Sequence, residues 1–185
     1  MKILAALLAA GASRRFGAED KLTAPLKARP LAAYSADLLT RLEGADKLVI
    51  TNEPGYAALF SGLPLAPPLG ADQSGSLRAA VAEARARNAD KLLILLADMP
   101  FVPLSLVEKL LASPIRACAF DGQRRSPPAI FPRADFPQLA QSSGDQGARA
   151  LLRQLPEAGL LRTTPQSLID IDTPADLSAA EALKP

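Results

Sequence analysis

Two stretches of this chain are apolar with no polar residue at alternate positions, Ile3 to Ala10 (ILAALLAA) and the LLILLA portion of KLLILLADMP at 91–100. Short unbroken apolar runs closed by turn formers predict strands buried on both faces, as in a parallel sheet covered by helices. A third run, KLVIT at 47–51, is β-rich and closed by Asn52 and Pro54. Between the first and third, Leu31 to Leu42 (LAAYSADLLTRL) has helical spacing, is entered through Pro30 and ends by Gly44. The pattern is strand, loop, helix, strand. Ser74 to Asn88 is alanine-rich, with Leu77, Val81 and Ala84 on one face and arginines on the other, and predicts a second helix.

The remaining pattern continues the alternation. Residues 61–73 are rich in Pro and Gly and read as a short strand within loop, and a helix is predicted over 104–112 and a strand over 115–120. After the polar turn DGQRRS, the prolines of PPAIFP predict an irregular or edge strand. A short helix closes at Phe136 to Leu139, Gly144-Asp145-Gln146-Gly147 interrupts the chain, and Ala148 to Leu155 is helical. In SLIDIDTPADLSAAEAL, Thr173, Pro174 and Asp176 occupy the cap, first-turn and capping-box positions of a last helix. Alternating strands and helices predict one domain over 1–185 with a three-layer α/β fold and a mainly parallel sheet. Ligands of such sheets gather at the C-terminal strand ends, where the loop after the first strand, Asn52 and Asp98 would meet.

Composition narrows the chemistry. With 49% hydrophobic and 22% charged residues and a net charge of +2, the chain has the balance of a soluble globular protein and no charge excess suited to nucleic acid. No segment approaches membrane-spanning length. The apolar start does not read as a secretion signal, because Lys2 is its only early charge and the run breaks at Gly11. The single cysteine, Cys118, cannot form an internal disulfide and suits a reducing cytoplasm. Histidine is absent, which excludes histidine bases, Ser-His-Asp and Cys-His nucleophiles and the usual zinc sites. Chemistry is left to carboxylates, lysines, arginines, hydroxyls, backbone amides or a hard metal ion.

The loop after the first strand, GASRRFGAEDK at 11–21, combines Gly11, Ser13 and Gly17 with Arg14, Arg15 and Lys21. Such a loop brings backbone N–H groups and positive charge to an anion, and a phosphate chain fits it. It is neither a P-loop, since Leu22 follows Lys21 where Ser or Thr is required, nor the dinucleotide fingerprint, since Ala12-Ser13 follow Gly11. A plain strand-to-helix turn is the alternative. Asp98, closing a buried run, stands where a nucleotide-bound magnesium would sit, or else caps the turn before Met99-Pro100. Asp170 and Asp172, at alternate positions of an expected strand, would share a face, so both could approach one cation, although Asp172 could instead help to cap the last helix. Ser74 and Ser76 open a helix, as ligand donors or as ordinary caps.

Four segments together resemble the MobA-like nucleotidyltransferases, the family of molybdopterin cytidylyl- and guanylyltransferases. They are LAAGASRRFG at 8–17 with Lys21, LADMP at 96–100, GDQGAR at 144–149 and DIDTPADL at 170–177, in the family's order. The resemblance implies a Rossmann-like fold of the nucleotide-diphospho-sugar-transferase type. It implies magnesium-dependent transfer of a nucleoside monophosphate from an NTP to a phosphorylated, pterin-type acceptor, with a molybdoenzyme or its chaperone as further partner. Leu8, Ala9, Ala10, Gly11, Ser13, Gly17, Asn52, Ser74 and Ser76 would then bind nucleotide, Arg15, Lys21 and Asp98 would be catalytic, and Asp98 and Asp172 would hold metal. Phe16, Ala18 and Lys27-Ala28 depart from the family's usual residues. Ala9-Ala10-Gly11 and the Asp170/Asp172 pair look more like the cytidylyl branch, so CTP is favoured over GTP. A non-catalytic nucleotide or cofactor carrier of the same fold is the rival reading.

Overall fold

The computed structural model describes residues 1–10, 16, 20–52, 56, 58–70, 74–141 and 148–183. Its strands are β1 (Ile3–Leu8), β2 (Pro25–Leu26), β3 (Arg29–Pro30), β4 (Asp46–Ile50), β5 (Leu65–Ala66), β6 (Lys91–Leu96), β7 (Ala117–Phe120), β8 (Arg125–Pro132) and β9 (Leu160–Arg162). Its α-helices are α1 (Leu31–Arg41), α2 (Gly75–Ala86), α3 (Leu104–Ala112), α4 (Phe136–Ala140), α5 (Arg149–Arg153) and α6 (Pro174–Glu181). Seven strands form one sheet in the order β5-β4-β1-β6-β8-β7-β9, while β2 and β3 pair as a separate hairpin. Within the seven-stranded sheet only β8 runs against its neighbours, and the other ladders are parallel.

The apolar runs occupy the centre of the sheet, as a strand buried on both faces must. Side chains of β1 alternate between two packed layers: Ala5 and Leu7 join Leu39 of α1 and Val107 and Leu110 of α3. Leu4 and Ala6 join Leu77 and Val81 of α2, Phe136 of α4 and Leu151 of α5. Each large apolar side chain so buried contributes roughly 1.5–3 kcal/mol, which favours this three-layer arrangement over any exposed sheet face. Among the described residues, no helix is long and apolar enough to cross a membrane.

One expectation holds in one of its alternatives and another is corrected. The PPAIFP strand is irregular, as expected, but interior and not an edge: β8 lies between β6 and β7. Its prolines are tolerated because the β7 ladder shifts from Cys118↔Ala129 to Ala119↔Ser126, so Pro127 and Pro128 stand in a bulge outside the pairing. Asp170 and Asp172 are not on a strand. They lie in the link between a 3-10 turn, Pro165–Leu168, and α6, on either side of the buried Ile171. Cap chemistry at α6 is as the sequence predicts: Thr173 and Asp176 form a reciprocal capping box with Pro174 in the first turn.

The parallel register decides where polar groups can converge. Leu8 is level with Ile50 on one side and Leu96 on the other. The residues following β1, β4 and β6 therefore emerge along one edge, and Ala9 N–H donates to the Ile50 carbonyl (2.8 Å) while Ala97 N–H donates to the Leu8 carbonyl (3.1 Å).

Cys118 is fully buried in β7, and burial pushes its thiol up from 9.0 to about 11. The folded chain keeps this proton at a pH where the unfolded chain has lost it, so stability declines as pH rises from about 9 toward 11. Urea titrations between pH 8 and 11 should show this decline and show it reduced in Cys118→Ala. Ellman's reagent at pH 8 should label the native protein only as fast as it unfolds; rapid native labelling would contradict the burial.

Candidate active site

Asp20 opens the described stretch 20–52, and a turn built on it sets the position of Lys21. Asp20 Oδ1 accepts from Leu22 N–H (2.9 Å), and its carbonyl accepts from Thr23 N–H (3.2 Å) and Ala24 N–H (3.1 Å). The other carboxylate oxygen, Oδ2, accepts from the Tyr56 hydroxyl, which ties the turn to the segment after β4. This local cage aims Lys21 inward, leaving the residue 8% exposed.

The Lys21 ammonium donates to Asp98 Oδ2 at 2.8 Å and to Asp172 Oδ1 at 3.0 Å. Asp98 follows β6 at the edge where β1 and β4 also end, and Asp172 precedes α6. Ile171 N–H donates to the Asp98 carbonyl (3.0 Å), so the chain before α6 is bonded directly to the turn after β6. That turn is supported from below by Ser35 in α1, whose hydroxyl lies 3.2, 3.4 and 3.3 Å from the carbonyls of Leu96, Ala97 and Met99.

The electrostatics are those of a buried acid held by a cation. Burial raises the Asp98 carboxyl above its ordinary value, the attraction of Lys21 opposes this, and the charges of Asp170 and Asp172 add to the rise. For Lys21, burial would lower the ammonium, but Asp98 and Asp172 outweigh it and hold it above its ordinary value. Asp98 Oδ1 is sealed from solvent and accepts no hydrogen bond from any described residue. A buried carboxylate oxygen without a donor is costly, and a hard cation satisfies it. Asp98 and Asp172 thus fit a magnesium-type ion, which takes one or two carboxylates and fills its remaining positions with water and phosphate oxygens. No group of three or more His, Cys, Asp or Glu suited to a metal occurs among the described residues.

The other sequence candidates fall into three groups. Leu8, Ala9 and Ala10 end or follow β1 and Asn52 follows β4, with Asn52 exposed at the same edge as Asp98. Ser74 and Ser76 stand at the start of α2, 1% and 7% exposed, and Ser74 makes no side-chain cap to the helix. Gly75 between them is required by a close approach, because a Cβ there would lie 2.5 Å from the Gly70 carbonyl oxygen. Gly11, Ser13, Arg15 and Gly17 lie outside the described residues, as does Asp145. Asp170 sits 3.7 Å from Arg124 rather than on Lys21.

Several residues that build the site were not singled out. Asp20 and Tyr56 place Lys21, and Ser35 braces the Asp98 turn. Signals existed for two of them: an acid immediately before the lysine, and a serine within the apolar face of LAAYSADLLTRL.

The model of the MobA-like NTP transferase domain matches residues 5–158. The chain belongs to this family. A molybdenum cofactor guanylyltransferase from Rhodobacter capsulatus is 33% identical over 98% of this chain and 96% of its own length. The purine catabolism protein PucB of Bacillus subtilis is 31% identical over 94% of this chain and 93% of its own. Among solved structures, Rv0371c of Mycobacterium tuberculosis superposes with a TM-score of 0.79 at 23% identity, covering 100% of both chains. A manganese complex of Rv0371c gives 0.77 at 19% identity, over 99% of this chain and 100% of that one. The family's nucleotidyltransferase fold, with its mostly parallel central sheet between helices, is the one described above.

Replacing Lys21 by Met strands Asp98 and Asp172 together without their cation. For fully buried pairs such a loss costs about 3–5 kcal/mol. Partial exposure of the two acids, 23% and 32% for their side chains, brings the expectation here to roughly 1–3 kcal/mol at neutral pH. Burial raises Asp98 and Lys21 opposes the rise, so losing Lys21 raises it further, and protonation at lower pH relieves the stranded charge more in the variant than in the native chain. The deficit of Lys21→Met should therefore be smaller at pH 5 than at pH 8 in urea titrations; an equal deficit at both would contradict this electrostatic account.

Proposed function

We propose that this chain is a magnesium-dependent nucleotidyltransferase that moves a nucleoside monophosphate from an NTP to a phosphorylated pterin-type acceptor and releases pyrophosphate. The observation that carries this reading is the Lys21 ammonium between Asp98 and Asp172, with an Asp98 oxygen that accepts from none of the described residues, beside the C-terminal ends of three parallel strands. Membership of the MobA-like NTP transferase family supports the reaction class, and the names of relatives such as the Rhodobacter capsulatus guanylyltransferase support a molybdenum-cofactor acceptor. They also favour GTP as the donor, and a second relative of that name is 29% identical over 99% of this chain. The cytidylyl reading rests on Ala9-Ala10-Gly11 and the Asp170/Asp172 pair.

In the proposed reaction an acceptor phosphate oxygen attacks the α-phosphorus in line. A new oxygen–phosphorus bond forms as the bond to the pyrophosphate oxygen breaks. The acceptor phosphate is ionised near neutral pH, so no proton need be removed, which suits a chain without histidine. Asp98 and Asp172 would hold the magnesium, which supplies charge neutralisation on the triphosphate when bound. Lys21 and Arg15 would offset further negative charge, Asn52 would contact the nucleoside, and Leu8, Ala9, Ala10, Gly11, Ser13 and Gly17 are assigned to nucleotide binding. Ser74 and Ser76 are assigned to the same nucleotide site. A reducing cytoplasm suits the free Cys118.

A thermal-shift screen of GTP, CTP, ATP and UTP with and without magnesium should show a metal-dependent rise for the true donor, GTP first and CTP second. With that nucleotide and a molybdopterin acceptor the protein should release pyrophosphate, and Lys21→Ala and Asp98→Ala should fold but lose at least about 100-fold in rate. Unchanged release from either variant would remove the mechanism. Nucleotide binding with no release would make the chain a carrier.

A further inference from the structure

Asp172 lies beyond residues 5–158 that match the family model, yet it supplies one of the two carboxylates on Lys21. Its placement depends on the buried Ile171 beside it and on polar ties along the chain from Leu168 to Leu183. Arg124, in the turn between β7 and β8, donates to the Leu168 carbonyl, and its Nη1 lies 3.7 Å from Asp170. At the far end, Glu181 accepts from Lys27 N–H at 2.7 Å, and the Lys27 ammonium donates to the Leu183 carbonyl.

The tie nearest the site is unusual in its reach. In an ordinary capping box the acid at the third helical position accepts from the backbone N–H of the cap residue. Here Asp176 Oδ2 accepts from Thr173 N–H (2.8 Å), from the Thr173 hydroxyl (2.8 Å) and also from Asp172 N–H (3.1 Å). The cap therefore fixes the peptide whose side chain meets Lys21. We propose that Asp176 is a positioning residue for the transfer reaction: by holding the Asp172 backbone it keeps the Asp172 carboxylate facing Lys21 and Asp98. This rests on the nucleotidyltransferase reading above. A displacement of about 1 Å at a reacting site costs on the order of 100-fold in rate.

Helix stability and positioning separate experimentally because Thr173→Ala removes the hydroxyl half of the cap while leaving the backbone bonds to Asp176. Four variants, Asp176→Ala, Thr173→Ala, Asp172→Ala and the double variant Asp172→Ala/Asp176→Ala, are compared for melting temperature, kcat, KM and manganese(II) affinity by electron paramagnetic resonance without nucleotide. The expected result is a similar fall in melting temperature for Asp176→Ala and Thr173→Ala, but a loss of about 10- to 100-fold in kcat and a weaker manganese affinity only for the former. The double variant should be no slower than Asp172→Ala alone, and Asp176→Asn, which keeps an acceptor oxygen and serves if the alanine variant does not fold, should recover most of the rate. Equal losses in the Thr173 and Asp176 variants, or multiplying losses in the double variant, overturn the positioning role. If the wild type releases no pyrophosphate with any NTP but binds manganese, the transferase reading fails by itself. A weaker affinity in Asp176→Ala alone then still supports the tie, and equal affinities refute it. A wild type that does neither overturns both.

Discussion

The candidate site turns on one ammonium group and the two carboxylates it joins. Asp98 stands 77 residues from Lys21 in sequence and Asp172 stands 151 away, so this single cation closes both long loops of the chain at one point. Loop closure of that length costs entropy that a lone pair of exposed charges would not recover. Here the cost is met by the hydrophobic layers: Lys21 and Asp98 are delivered by segments whose apolar neighbours are already committed to the sheet and its helices. The ion contacts then decide which polar groups face one another, not whether the chain folds.

The parallel arrangement explains why these groups meet at that edge. A strand buried on both faces can present polar residues only at its ends, and the level register of β4, β1 and β6 brings three such ends together. Carbonyls after β6 are gathered by the Ser35 hydroxyl, which fixes the turn carrying Asp98. The acid is thereby held where water is scarce, so its charge matters more to any neighbouring cation than it would on an open surface.

Much of this was legible in the sequence because the signals are local. The unbroken apolar runs, the Pro30 and Gly44 boundaries and the Thr173-Pro174-x-Asp176 cap each encode their structure within a few residues. PPAIFP is irregular, as its prolines predict, but its interior place is not a local property. Two prolines argue for an edge only if they must sit in a ladder, and the register shift opposite Cys118 and Ala119 that frees them belongs to the partner strand. IDIDT alternates like a strand, yet the Ile171 N–H is taken by the Asp98 carbonyl, so no neighbouring strand claims it. The order of the family-like segments pointed to Lys21, Asp98 and Asp172 together, but which oxygen meets which nitrogen is a property of packing. Asp20 and Tyr56 could not be paired from sequence, since their contact joins loops 36 residues apart.

The two halves of the site are held by different segments. Lys21 and Asp98 lie within the stretch matched by the family model, whereas Asp172 lies outside it, between Ile171, buried against Leu26, Leu31 and Phe101, and a helix cap that holds its backbone. Buried Ile171 anchors this chain, while the hydrogen bonds of the cap set how the next peptide is presented. On the proposed reading the first carboxylate is placed by the strands and the second by the chain before α6. Such a division suits a family in which one transfer chemistry is fitted to different acceptors: a change near the α6 cap can alter how the second carboxylate is presented without disturbing the strands that carry the first.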